Sequence, residues 1–295
     1  MAARRLTAAW APWAFLAPAL ALIGVFFFIP VLAAFALSVT DFDLYALADR
    51  SVLRFVGTAN YEALFGNPDF LRALRNTFYF VTVGGPLSIA VSLGAALLVS
   101  ARLAPYKRFF RTVYFAPVVT TLVAVAVVWR YLLHTRYGLV NWSLGALGVA
   151  PVDWLGDPDW AMPAIIIMAV WKNFGYNMVI FIAGLQNIPN ELYEAAELDG
   201  ARAWKRFRHV TLPMLRPTLL FVSVITLIGY FQLFAEPYVM TQGGPLKSTQ
   251  SIVLLMYEEG FRWWRMGSAA AIAFVLFVIM LFGTMLQLLL RRGEE

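Results

Sequence analysis

The sequence predicts an all-α integral membrane protein with six transmembrane helices and both termini cytoplasmic. Three observations lead there. Of the 295 residues, 61% are hydrophobic and 14% charged, at a mean hydropathy of +0.71, whereas soluble domains carry about 45–50% apolar and about 25% charged residues. A water-soluble body of this size cannot hide that much apolar surface. The apolar residues fall into six long continuous runs, which suits helices because the strands of a membrane barrel alternate. The basic residues gather in the segments that join alternate runs.

A bilayer core about 30 Å thick takes roughly 20 residues of helix. The runs are 13–37, 77–99, 114–133, 160–183, 215–234 and 269–290. They are nearly free of charge, and Lys172 in the fourth is the clearest exception. The first run follows Arg4 and Arg5 as a signal peptide would, and 33–37 could mimic a cleavage site. It is longer than an h-region of about 7–15 residues, and is read as a retained first span. Thirteen Lys and Arg residues fall on one side of these spans and nine on the other, the nine spread over much longer loops. The positive-inside rule then puts both termini in the cytoplasm. The sharpest case is Arg102, Lys107, Arg108 and Arg111, with no acid among them.

The outer segments 41–76, 134–159 and 236–267 carry Trp154, Trp263, Trp264 and several Gly and Pro. They read as ordered caps and interfacial anchors. None is long enough for a second large domain, so 1–295 is expected to be a single transmembrane domain. The net charge of +6 belongs to these short basic loops, and no nucleic acid is expected as a partner. The absence of cysteine excludes disulfides, thiolate metal sites and cysteine nucleophiles. His134 and His209 lie far apart in sequence, so no metal site is expected. Gly244-Pro245-Leu246-Lys247-Ser248 has Leu246 where a P-loop needs glycine before its lysine. No catalytic constellation is evident.

Lipid solvation accounts for the spans but not for the cytoplasmic loop 189–217. Pro189 suits an early helical position. Glu191, Glu194 and Glu197 recur at every third residue, and acids near a helix N-terminus are favourable. Ala195 and Ala196 keep the helix slim. Gly200 permits a sharp turn or a close backbone approach. Residues 201–210 form a second, basic helix ended by Leu212-Pro213, and Pro217 starts the next span. On charge alone, an ordinary basic loop explains the segment equally well.

The spacing Glu194-Ala195-Ala196-x-x-Asp199-Gly200-Ala201, then Phe207, Val210, Leu212-Pro213 and Pro217, closely resembles the EAA loop of ABC importer permeases. Phe55-Val56-Gly57, Asn60-Tyr61 and Asn76-Thr77 resemble the first outer loop of the carbohydrate (maltose F / glycerol-phosphate A type) branch. So do Tyr114-Phe115-Ala116-Pro117, Trp129, Gly138 and Asn141 around its third span, and Leu185-Gln186-Asn187-Ile188-Pro189 before the loop. Gly243-Gly244-Pro245, Ser248-Thr249 and Met266-Gly267-Ser268-Ala269 are similar to its last outer loop and span. The order of these pieces, over almost the whole chain, carries the resemblance. The extra N-terminal spans and large outer loop of the maltose protein itself are not matched.

The resemblance implies a type I ABC importer permease-like fold in a prokaryotic plasma (inner) membrane. It implies a second, non-identical permease, two ATPase subunits and an extracytoplasmic sugar-binding protein as partners. ATP and Mg are then held by the ATPase, and this chain is non-catalytic and binds no cofactor. Glu194, Ala195, Ala196, Asp199, Gly200, Ala201 and Pro213 become the coupling segment that docks into the ATPase. Closure of the ATPase dimer would tilt the attached spans between inward-open and outward-open states.

Polar groups inside spans are costly in lipid and so mark a pathway. The fourth span holds Trp171, Asn173, Tyr176 and Asn177, and the fifth holds Tyr230 and Gln232 with Glu236 at its outer end. Amides that bond hydroxyls, and rings that face CH groups, suit a sugar. The competing reading is that these groups glue helices together. Lys172 and Glu236 are read as pairing with a charged substrate or with the partner subunit. An ion-coupled secondary transporter would need carboxylates at mid-depth, which the spans do not show. An ABC permease for an anion would show a pathway rich in Arg or Lys.

Overall fold

The structure, a computed structural model, describes residues 2–49, 53–101 and 106–292. Arg50 and Arg102, used above for orientation, lie outside the described residues. Five helices are long and apolar enough to cross a membrane, and a bent pair makes up to six. In chain order these are α1 (Pro12–Ser38), α2 (Pro68–Ser100), the pair α3 (Lys107–Val119) and α4 (Leu122–Leu132), α5 (Pro158–Gln186), a fifth span that begins at Arg216, and a sixth that begins at Met266. The chain divides into two compact units, 1–67 with 256–275 and 68–255 with 276–295.

In the first unit the C-terminal end of α1 is clasped. The Asn60 side-chain amide donates to the Ser38 and Thr40 carbonyls, both at 2.8 Å. Tyr61 donates to the Ser38 hydroxyl at 2.8 Å. These acceptors are carbonyls freed at a helix end. A Cβ at Gly267 would collide with the Thr40 carbonyl oxygen, and the Gly267 amide donates to Phe42 O at 3.0 Å. Asp41 accepts from the Arg54 backbone amide at 2.7 Å and from its guanidinium at 2.9 Å.

In the second unit α2 starts at Pro68, nine residues before the apolar run. Its first turns are a lever for the last outer loop. Asp69 pairs with Lys247 at 2.5 Å. The Asn76 amide donates to the Lys247 and Gln250 carbonyls at 2.8 and 3.0 Å, and the Thr77 hydroxyl accepts from the Ile252 amide at 3.0 Å. Deeper in, α2 widens into a π-helical turn at Phe80–Gly84 just before Pro86, where a missing N–H and a ring clash must be absorbed.

α5 is the central helix. Ile165, Met168, Met178 and Phe181 are fully buried on it, and Met178, Phe181 and Ile182 pack with Ala96, Val99 and Val222. Without a hydrophobic drive between helices in lipid, close approach does the work. A Cβ at Gly175 would strike the Tyr114 carbonyl of α3, and one at Gly184 would lie 2.6 Å from Thr218 Oγ1.

The third run departs from the single helix expected over 114–133. α3 ends at Val119, Thr120 and Thr121 are extended, and α4 leaves at 99°. Pro117 followed by four β-branched residues explains the break, since proline removes a donor and branched side chains crowd a helix turn. The Thr120 hydroxyl closes the end by donating to the Pro117 carbonyl at 2.6 Å.

Gly175→Ala is expected to lower thermal stability in detergent by about 1–3 kcal/mol through overpacking. Gly94→Ala, whose Cβ meets nothing within 4 Å, should be neutral or stabilising by about 0.5–1 kcal/mol; equal losses in both would remove the packing argument. The Arg54 backbone amide, with the guanidinium beside it, holds the Asp41 carboxyl below the ordinary value of 3.8. A depressed carboxyl stabilises above its unfolded value, and that support disappears as pH falls through the folded one. The protection factor of the Val56 amide, which donates to Val39 O at 2.9 Å, should therefore fall on acidification once the slower intrinsic exchange in acid is divided out, and should lose this dependence in Asp41→Asn.

Candidate functional site

Asn173, Tyr176 and Asn177 lie three and four residues apart, so they share one face of α5. That face borders a cavity of about 460 Å³. The fifth span begins as α6 (Arg216–Phe231). It is interrupted at 232–234 and resumes as a short helix at Ala235–Met240. The cavity is completed by Phe80 of α2, by Val118 and Leu122 on either side of the α3–α4 break, and by residues of the fifth span between Ile225 and Glu236. Both interruptions of helical backbone in these apolar stretches border the same cavity. Such backbone is tolerated at membrane depth only where protein or a water-filled cavity covers it.

The structure brings together Asn173, Tyr176, Asn177, Tyr230, Gln232 and Glu236. It leaves out Trp171, which packs on Trp129 with ring centroids 5.5 Å apart. Trp171 is two residues before Asn173, and a helix turns such a pair to opposite faces. Asn177 donates to the Thr226 hydroxyl at 3.0 Å, tying α5 to α6. Asn173, Tyr176 and Gln232 make no side-chain hydrogen bond among the described residues. Helix glue thus describes Asn177, while the other three keep their polar groups available.

Tyr230 is 5% exposed and stacks on Phe80 at 4.9 Å. Its ring lies over Gly84, where a Cβ would come within 2.8 Å of it. Its hydroxyl is buried beside that of Ser88. Glu236 is 8% exposed. The sequence suggests the outer end of the span for it; it lies just past the interruption at 232–234 and lines the cavity.

Lys172 does not line the cavity. Its ammonium donates to the Val118 carbonyl at 3.1 Å, in the last turn of α3, where a cation suits the helix end. It stands within coulombic reach of Glu236. Phe80, Thr226, Gly229 and the α3–α4 break are site elements that the sequence reading did not single out. Pro117 followed by Val118, Val119, Thr120 and Thr121, and the lone polar Thr226, were the signals available.

At the far end of the same unit, the loop helix Asn190–Leu198 follows α5, ends at Asp199 and turns at Gly200. Gly200 has φ +74°. Its amide donates to the Glu197 carbonyl at 3.0 Å and the Ala201 amide to Ala196 at 2.8 Å, the paired bonds of a Schellman motif. A Cβ at Gly200 would meet nothing within 4 Å, so the position needs glycine for its left-handed backbone and not for a close approach within the chain. Arg206 pairs with Glu197 across the corner, and Tyr193 bonds Thr211 at 3.0 Å. Glu194, Ala195 and Asp199 are exposed, Ala196, Ala201 and Pro213 partly so. Leu198 is 90% and Trp204 68% exposed. The second helical stretch does not stop at Leu212-Pro213: it widens into a π-helical turn at Phe207–Thr211 and continues over Leu212–Met214. Pro213 sits in the first turn after the widening, where its missing N–H is harmless.

Residues 88–294 match the family described as binding-protein-dependent transport system inner membrane component. The chain is similar to a lactose transport system permease protein of Rhizobium radiobacter, 40% identical over 281 residues, 94% of this chain and 91% of that one. It is similar to an sn-glycerol-3-phosphate transport system permease protein of Agrobacterium fabrum, 34% identical over 94% of this chain and 92% of that one. Its fold is similar to a chain of a bacterial alginate ABC transporter solved with an alginate pentasaccharide-bound periplasmic protein. The TM-score there is 0.80 at 23% identity, over 96% of this chain and 94% of that one.

Lys172→Met is expected to cost about 1–3 kcal/mol by orphaning the Val118 carbonyl and leaving Glu236 without its counter-charge. Adding Glu236→Gln should recover part of that loss. Strict additivity in this thermal double-mutant cycle would show that the two charges do not communicate.

Proposed function

This chain belongs to the binding-protein-dependent transport system inner membrane component family, and on that premise we propose that it is the half of an ABC importer's translocation pathway that passes a sugar. The carrying observation is the cavity itself: two breaks in apolar spans meet at one set of amides and aromatic rings. Non-helical backbone and available polar groups in lipid have a use only if a polar solute goes through. The named relatives handle neutral and phosphorylated solutes alike, and the lining of amides and aromatic rings favours a saccharide.

The cytoplasmic corner supplies the drive. A short helix fixed by a Schellman turn and a cross-corner ion pair is a rigid lever, and its exposed Leu198 and small Ala195 and Ala196 suit the groove of a second protein. We assign that groove to an ATPase subunit, with ATP and Mg bound there and not on this chain. A second permease completes the pathway, an extracytoplasmic binding protein delivers the sugar, and the termini face the cytoplasm of a prokaryote. The sugar's affinity must differ between the two states for closure of the ATPase to move it.

Gly229 lines the cavity, and a Cβ there meets nothing within 4 Å. Gly229→Leu is therefore expected to leave expression and assembly intact and to cut sugar uptake by tenfold or more. Full uptake with the cavity filled would place the pathway elsewhere. Leu198→Asp is expected to abolish co-purification of the ATPase and ATP-driven uptake while membrane insertion continues; undiminished recovery of the ATPase would deny the helix its docking role.

A further inference from the structure

The charge of the cavity wall points beyond sugars in general. Among the described lining residues Glu236 is the one with a charged side chain, and it is nine-tenths buried. The nearby cation, Lys172, is turned onto the Val118 carbonyl at 3.1 Å and is not part of the lining. An anionic solute would thus exchange its hydration for amides, rings and a buried carboxylate, and among the described residues the nearby cation, Lys172, already serves the Val118 carbonyl and Glu236 itself. Desolvated charge without a partner is costly, and a like charge at close range adds to the cost. An uncharged saccharide meets the opposite situation. Its hydroxyls can donate to Glu236, and charge-assisted bonds of that kind are roughly twice as strong as neutral ones. Its oxygens can accept from the amides of Asn173 and Gln232 and from the half-exposed Tyr176 hydroxyl.

We propose that Glu236 is the charge-selectivity residue of this half of the pathway, admitting uncharged saccharides and rejecting anionic ones of the same size. A repulsive element of this sort discriminates as effectively as any attractive contact. The inference rests on the reading of the cavity as the sugar pathway.

The test uses the complex as purified from its native membrane, without ATP. It is incubated with an equimolar mixture of neutral gluco-, galacto- and arabino-oligosaccharides and the matching uronates, two to five units long. Retained sugars are quantified by mass spectrometry after gel filtration. The native complex is expected to retain neutral sugars at least tenfold over uronates. Glu236→Gln should narrow that ratio about tenfold, and Gln232→Arg, which adds a cation to the wall, should narrow or invert it. Preferential or equal retention of uronates by the native complex, or an unchanged ratio in both variants, overturns the selectivity role and leaves the sugar pathway standing. If Glu236→Gln fails to assemble, Gln232→Arg decides by the same ratio. Retention of no saccharide of either kind by the native complex overturns the pathway reading itself, and this inference with it.

Discussion

Carbonyls released inside an apolar layer must find a donor, because lipid offers none. In this chain the third span releases them at its 99° break, and the Lys172 ammonium and the Thr120 hydroxyl satisfy two of them. Much follows from that settlement. With the break secured, α3 can turn away and Val118 and Leu122 can border an opening instead of filling it. Lys172 is held away from the opening, which leaves Glu236 to set the charge of the wall. α5 tolerates the buried lysine because the cation serves a helix end and a neighbouring carboxylate at once.

Two loop segments are held by side-chain amides on freed carbonyls, with Asn60 in one unit and Asn76 in the other. Each amide satisfies two acceptors from one planar group, so a short loop is fixed without a core of its own. The corner at Gly200 is fixed by backbone bonds and one ion pair. It stays rigid while presenting an apolar tip to its surroundings.

Much of this was legible in the sequence, for identifiable reasons. Long apolar runs must be helices in lipid, so the spans could be read from Phe and Leu density alone. The three-and-four spacing of Asn173, Tyr176 and Asn177 announced a shared face. What stayed hidden depended on tertiary placement. The role of Lys172 could not be read because its acceptor lies 54 positions away. Trp171 was grouped with Asn173 by proximity in sequence, which helical rotation contradicts. That Glu236 lines a cavity depends on how the fifth span packs on α5, which the local sequence does not encode. Asn60, Asn76 and Gly267 were visible only as family resemblance, and their bonds now supply the physical reason for those residue types. The break at Thr120 was within reach: Pro117 ahead of four β-branched residues is a stop signal outvoted by hydropathy.

The central claim is that this cavity passes solute only when a separate ATPase drives the loop helix. The most direct measurement reconstitutes the purified complex into liposomes, with its binding protein and a radiolabelled sugar on the binding-protein side. Uptake is followed with ATP, without ATP, and with this chain alone. The account predicts accumulation only in the full complex with ATP. Accumulation by this chain alone, driven by an ion gradient and indifferent to ATP, would contradict it.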